Sequence, residues 1–144
     1  MEQYSAAGDQ LSLAQLYGIM RLRAAVFSGE QGIDPLLDFD DADLLESTKH
    51  FWIENDGLIV SNMRLAGVSP TRVKLGRVAT LPEYRKQGLA SQLIQAAISS
   101  SMASEFYMHA ESQLAEWYSG FGFEVVGDEF EEVGLPHVAM ILQS

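Results

Sequence analysis

Arg85, Lys86, Gly88 and Ala90 fall within one short stretch, Arg85-Lys86-Gln87-Gly88-Leu89-Ala90-Ser91, whose residue types suit the capture of an anion. Gly88 admits backbone angles that a Cβ would penalise and lets a ligand approach the main chain closely. Apolar residues then recur at Ala90, Leu93, Ile94, Ala97 and Ile98, which is helical spacing with one buried face. The first N–H groups of a helix lack internal partners and carry partial positive charge. With Arg85 and Lys86 beside them, they would make a concave site for a phosphate or pyrophosphate. The pattern is neither GxxxxGK[ST], since no second glycine and no Lys-Ser/Thr follow, nor GxGxxG. Many helices open on a basic turn and bind nothing, so the reading rests on the order: strand, Arg-x-x-Gly-x-Ala, helix.

The elements that would position this loop can be taken in chain order. Leu11, Leu13, Leu16, Tyr17, Met20 and Val26 predict a first helix over Ser12–Phe27, with Ser12 as N-cap. Asp34, Asp38, Asp40, Asp41, Asp43 and Glu46 follow. They lack the central glycine and final glutamate of an EF-hand, so a solvent-exposed loop with a short helix is expected. Strands are expected at His50–Glu54, Leu58–Leu65 (across the Asn55-Asp56-Gly57 turn) and Arg72–Thr80. After the helix through Ile98, Phe106–Ala110 reads as a buried strand and Leu114–Tyr118 as a brief helix. Two closing strands, Phe123–Val126 and Val138–Leu142, flank an acidic loop. This is an α/β order with a mixed sheet, in which a parallel strand–helix–strand crossover sets the basic loop at the strand ends.

The chain of 144 residues fits one domain, 1–144, with 47% hydrophobic and 20% charged residues. No cysteine occurs, which excludes disulfides, thiolate metal sites and a cysteine acyl-enzyme. No apolar run reaches membrane-spanning length and no basic-then-apolar leader opens the chain, so a cytoplasmic home is expected. The net charge of −11 argues against nonspecific nucleic-acid or anionic-membrane binding. All nine Lys and Arg lie between Arg21 and Lys86, so an anionic ligand must find its cations there. The C-terminal third is purely acidic, which suits a cationic acceptor or simply a solvated surface.

Several separated segments share one family pattern. They are Leu22-Arg23 with Val26-Phe27 and Glu30-Gln31, Thr48-x-His50, Gly76-Arg77-Val78, Arg85-x-x-Gly88-x-Ala90, Trp117-Tyr118-x-x-Phe121-Gly122-Phe123, and Gly134-Leu135-Pro136-His137-Val138-x-Met140. From about Leu11 to the C-terminus the chain resembles the GNAT N-acetyltransferase superfamily, in its ElaA-like branch. The resemblance implies a mixed central sheet with splayed parallel strands and helices on both faces. It implies that acetyl-CoA binds between the strands ending near Thr80 and beginning near Phe106. The main chain of Val78, Ala79 and Thr80 would pair with the pantetheine arm. The backbone from Arg85 through Lys86, Gln87, Gly88, Leu89 and Ala90 to Ser91 would cradle the pyrophosphate. Tyr118 would be the general acid that protonates the departing thiolate, a phenol of pKa ~10 serving a thiol of pKa ~8.5. An amine would attack the thioester directly, with the amide of Val78 or Ala79 facing the oxyanion. No metal is implied.

The acceptor would be a small-molecule or peptide amine, near Glu30, Arg64, Arg77, Glu111 and His137; Glu111 departs from the glutamine common in that branch. By residue type alone, other readings stand beside these. Tyr118 next to Trp117 reads as a core aromatic, Arg64 and Arg77 as interior ion-pair partners, and His137 as a strand cap or a substrate contact. His50 and His109 read as structural. A non-catalytic acyl-CoA sensor with the same fold is the alternative function, and exposed edge strands leave room for a homodimer.

Overall fold

The computed structural model describes residues 1–144. Seven strands form one sheet: β1 (Glu2–Ala7), β2 (Thr48–Asn55), β3 (Leu58–Gly67), β4 (Arg72–Thr80), β5 (Glu105–Glu111), β6 (Glu124–Glu132) and β7 (Leu135–Gln143), in the order β1-β2-β3-β4-β5-β7-β6. Only β4 and β5 run parallel; every other neighbouring pair is antiparallel. Helices α1 (Leu13–Arg23), α2 (Leu89–Ser100) and α3 (Ala115–Ser119) complete the fold. No helix is long and apolar enough to cross a membrane.

Alternation along β2 divides the interior between the two faces. Trp52 packs with Ile19, Leu22 and Val26 of the first helical segment. Its neighbours Phe51 and Ile53 pack with Leu89, Leu93, Ile94 and Ala97 of α2. Helices therefore cover both faces, each fully buried Leu, Ile or Phe contributing about 1.5–3 kcal/mol. Ser12 caps α1 in a reciprocal box, its hydroxyl accepting from the Gln15 N–H at 3.1 Å while the Gln15 side chain accepts from the Ser12 N–H at 2.9 Å.

Four features depart from the sequence expectations. The first helix ends as an α-helix at Arg23 and continues as a wider π-helical turn over Ala24–Glu30. β1 has little apolar alternation of its own; it exists because β2 offers an open edge, with Glu2↔Glu54 through Ala7↔Lys49 in register. β6 runs through the acidic stretch to Glu132, because β7 pairs with it as far as Glu132↔Leu135. The acidic segment after Asp34 is only partly solvated, since Asp38 and Asp43 are buried. They face Arg23, which is wholly buried and donates to Asp38 at 2.8 Å and to Asp43 at 2.7 Å. Burial alone would lower the Arg23 pKa, but Asp43 and Asp38 outweigh it and raise it.

Candidate active site

β4 and β5 pair at only three positions, Arg72↔Glu105, Val73↔Phe106 and Lys74↔Tyr107. Beyond Lys74 the strands part. β5 cannot follow β4, because β7 holds it in register through Glu111↔His137. On its other side β4 bulges: Asn62↔Ala79 and Arg64↔Gly76 leave Met63 facing both Arg77 and Val78. Arg77 takes a positive φ of 56° at this bulge. Val78 is thus free of a register partner on both sides, and its main chain borders an open seam.

A cavity of about 440 Å³ occupies this seam. Its walls include Gly76, Arg77 and Val78 of β4, Ala110 and Glu111 of β5, and Tyr118 of α3. The π-helical turn and the segment after it close the far side with Phe27, Gln31 and Ile33.

The basic loop lies outside that cavity, at the start of α2. Gly88 takes φ 75° as the N-cap residue, and no side chain caps the helix. The leading N–H groups of α2 therefore keep their capacity for an acceptor. A Cβ at Gly88 would meet nothing within 4 Å, so the glycine serves the backbone angle and leaves the approach open. Lys86, two residues earlier, also takes a positive φ, 63°. Arg85 is not free: its guanidinium grips both oxygens of Glu30, one at 2.7 Å, and its Nε donates to the Thr80 carbonyl at 3.0 Å. The Arg85 hydrogen bond holds the Glu30 carboxyl below the usual range.

Tyr118 is 6% exposed, set edge-on to Trp117 with ring centroids 4.8 Å apart, and it lines the cavity. Burial, and then the charge of Glu111, push its hydroxyl up to about 12. The phenol thus stays protonated through the neutral range.

A sequence model of the acetyltransferase (GNAT) domain matches residues 40–144. The chain belongs to the GNAT acetyltransferase family. It is 35% identical over 136 residues to the UPF0039 protein Rv2851c of Mycobacterium tuberculosis, covering 91% of this chain and 86% of that one. To protein ElaA of Escherichia coli it is 32% identical over 139 residues, covering 92% and 90%. The crystal structure of Escherichia coli ElaA matches with a TM-score of 0.90 at 28% identity, over 99% of each chain. An acyl-CoA N-acyltransferase from Pseudomonas aeruginosa matches with a TM-score of 0.89 at 29% identity, again over 99% of each chain.

Within this GNAT fold, the residues singled out from sequence divide into three groups, apart from Ala79, which is buried in the cluster with Trp52, and Thr80, whose hydroxyl meets that of Ser61 at 2.8 Å. Arg77, Val78, Glu111, Tyr118 and His137 meet around the cavity. Arg85 to Ser91 gather at the α2 start, where Glu30 joins them through Arg85. Arg64 goes elsewhere: it is 5% exposed and pairs with Asp40 and, at 2.8 Å, with Asp43. Arg77 is likewise engaged, its Nε donating to Asp38 Oδ1 at 2.6 Å. Burial, then the neighbouring Arg64 charge, lower the Arg77 pKa.

Among the cavity residues outside the sequence candidates are His109, which residue type read as structural, and Glu132. His109 and Glu132 line the cavity, with His109 Nδ1 3.0 Å from Glu132 Oε1. The alternation Tyr107, His109, Glu111 along β5 was a signal for His109, because it places all three on one face. Glu132 had no such signal, since its acidic neighbourhood reads as a loop.

Proposed function

We propose that this chain moves an acetyl group from acetyl-CoA to a primary amine of a small-molecule or peptide acceptor, by direct attack on the bound thioester. The observation that carries this reading is the parted β4–β5 seam, where Val78 lacks a register partner on both strands. An amide-bearing pantetheine arm can add there as a strand adds to a sheet edge. The uncapped start of α2 and Lys86 suit the pyrophosphate. A backbone N–H at Val78 or Ala79 would face the oxyanion, and Tyr118 would return a proton to the sulfur.

The test incubates the protein with acetyl-CoA and a panel of primary amines and follows release of the free thiol. Acceptor-dependent release supports the reading. Binding of acetyl-CoA without release from any amine overturns it in favour of an acyl-CoA sensor.

A further inference from the structure

On the wall of the cavity, β5, β6 and β7 bring two histidines to one carboxylate. His137 is 6% exposed, and its Nδ1 lies 2.9 Å from the Leu135 carbonyl. A carbonyl only accepts, so Nδ1 carries the hydrogen and Nε2 of the neutral ring presents a lone pair. That Nε2 stands 3.8 Å from Glu132 Oε2. Two acceptors therefore face each other across a gap too wide for a hydrogen bond and unfavourable without a donor between them.

The rest of the cluster fixes this gap in place. His109 Nδ1 donates to Glu132 Oε1 at 3.0 Å, and the Tyr107 hydroxyl donates to His109 Nε2. One carboxylate oxygen is thereby satisfied and the other left facing His137. The Phe130 ring lies edge-on to His109 at 4.9 Å and stacks on His137 at 6.2 Å, holding both imidazoles. Two of the three nearby cations are paired with carboxylates, and the third, Lys74, lines the cavity beside an aromatic ring. Arg72 covers the Tyr107 ring and pairs with Glu105, Lys74 lies 5.6 Å from the same ring, and Arg77 is paired with Asp38. The remaining charges that line the cavity, Glu111, Asp38 and Asp40, are carboxylates.

We propose that the gap between His137 Nε2 and Glu132 Oε2 is the seat of the acceptor's ammonium group, and that His137 takes the proton that frees the amine for attack. This rests on the acetyl-transfer reading above and assigns it a cationic aliphatic amine as acceptor class. An ammonium has the donors to bridge both atoms, and Glu132 supplies the counter-charge. One N–H proton passes to His137 Nε2. The freed nitrogen bonds to the thioester carbonyl carbon, the C–S bond breaks, and the sulfur takes the Tyr118 proton. The second nitrogen proton returns to the Tyr118 oxygen, and His137 releases its own to solvent. Amide, thiol and one proton are the products.

The test has two parts. First, 1,4-diaminobutane is titrated into the acetyl-CoA-free protein while the side-chain ¹⁵N resonance of His137 Nε2 is followed, with 1,4-butanediol as the neutral control. A shift with the diamine, absent with the diol and absent in Glu132→Gln, is expected; no shift, or an equal one with the diol, overturns the proposal. Second, with the best amine of the panel, Glu132→Gln should raise the amine KM about tenfold. His137→Gln should lower kcat about a hundredfold and remove the acidic limb of the pH–rate profile. Glu132 is 42% exposed in its side chain, so its replacement leaves the core intact. Diamine binding without thiol release overturns acetyl transfer and keeps the ammonium seat. Thiol release unchanged in both variants overturns the seat and keeps acetyl transfer.

Discussion

Arg77 Nε lies 2.6 Å from Asp38 Oδ1, so the bulged residue of β4 is tied to the acidic segment that lines the cavity. The same oxygen accepts from Arg23 Nη2 at 2.8 Å. One carboxylate thus fixes the end of α1 and the bulge in β4 together. Arg23 is central to this arrangement, because it is buried and its partners Asp38 and Asp43 are nearly so.

Replacing Arg23 with Met should cost about 3–5 kcal/mol, since two buried carboxylates lose their principal partner. Chemical denaturation of the two proteins checks this. Arg77→Met should cost less, because Arg77 keeps 25% of its side chain exposed and Arg23 still neutralises Asp38. An order reversed between the two variants would contradict the assignment of Arg23 as the centre of the cluster.

Stability should fall with acid in two stages. His50 is buried and its pKa is lowered, by burial first, so the unfolded chain takes that proton earlier than the folded one. Its contribution is present above the unfolded value of ~6.5 and is lost as pH falls from there toward the folded value. Burial alone would raise Asp43 and Asp40, but Arg23 and Arg64 respectively outweigh it and lower both. Their contribution is present above ~3.9 and is lost below it. Denaturation midpoints across the acid range should show both stages, and His50→Gln should flatten the upper one.

Gly88→Val should leave the fold intact at a cost of about 1–2 kcal/mol, since φ of 75° penalises a β-branched residue while a Cβ meets no neighbour. Affinity for acetyl-CoA, measured by calorimetry, should drop. Undiminished affinity would remove the α2 start from the binding site.

Tyr118→Phe should lower kcat while leaving the acetyl-CoA dissociation constant within about twofold, as expected for a proton donor used in the transition state. Alkaline absorbance titration of the wild type should show one phenol ionising near 12, and that step should vanish in the variant. Retention of kcat would confine Tyr118 to packing.

Much of the frame was legible along the chain. The Ser12 cap, the β4 boundaries Arg72–Thr80 and the backbone freedom of Gly88 before α2 depend on local periodicity and backbone angles, which neighbouring residues determine. Separated motifs likewise carried the family, because each motif is short enough to survive as a pattern. Only the tertiary structure decided which charges are spoken for. Asp38 meets Arg77 across 39 positions, Glu30 meets Arg85 across 55, and Glu132 meets His109 across 23. Such pairings follow from strand order and bulge geometry, so residue type alone left Arg64 and Arg77 open between ligand and ion-pair roles. It also left the acidic stretch before Glu132 looking like a loop, until β7 supplied the hydrogen bonds that make it a strand.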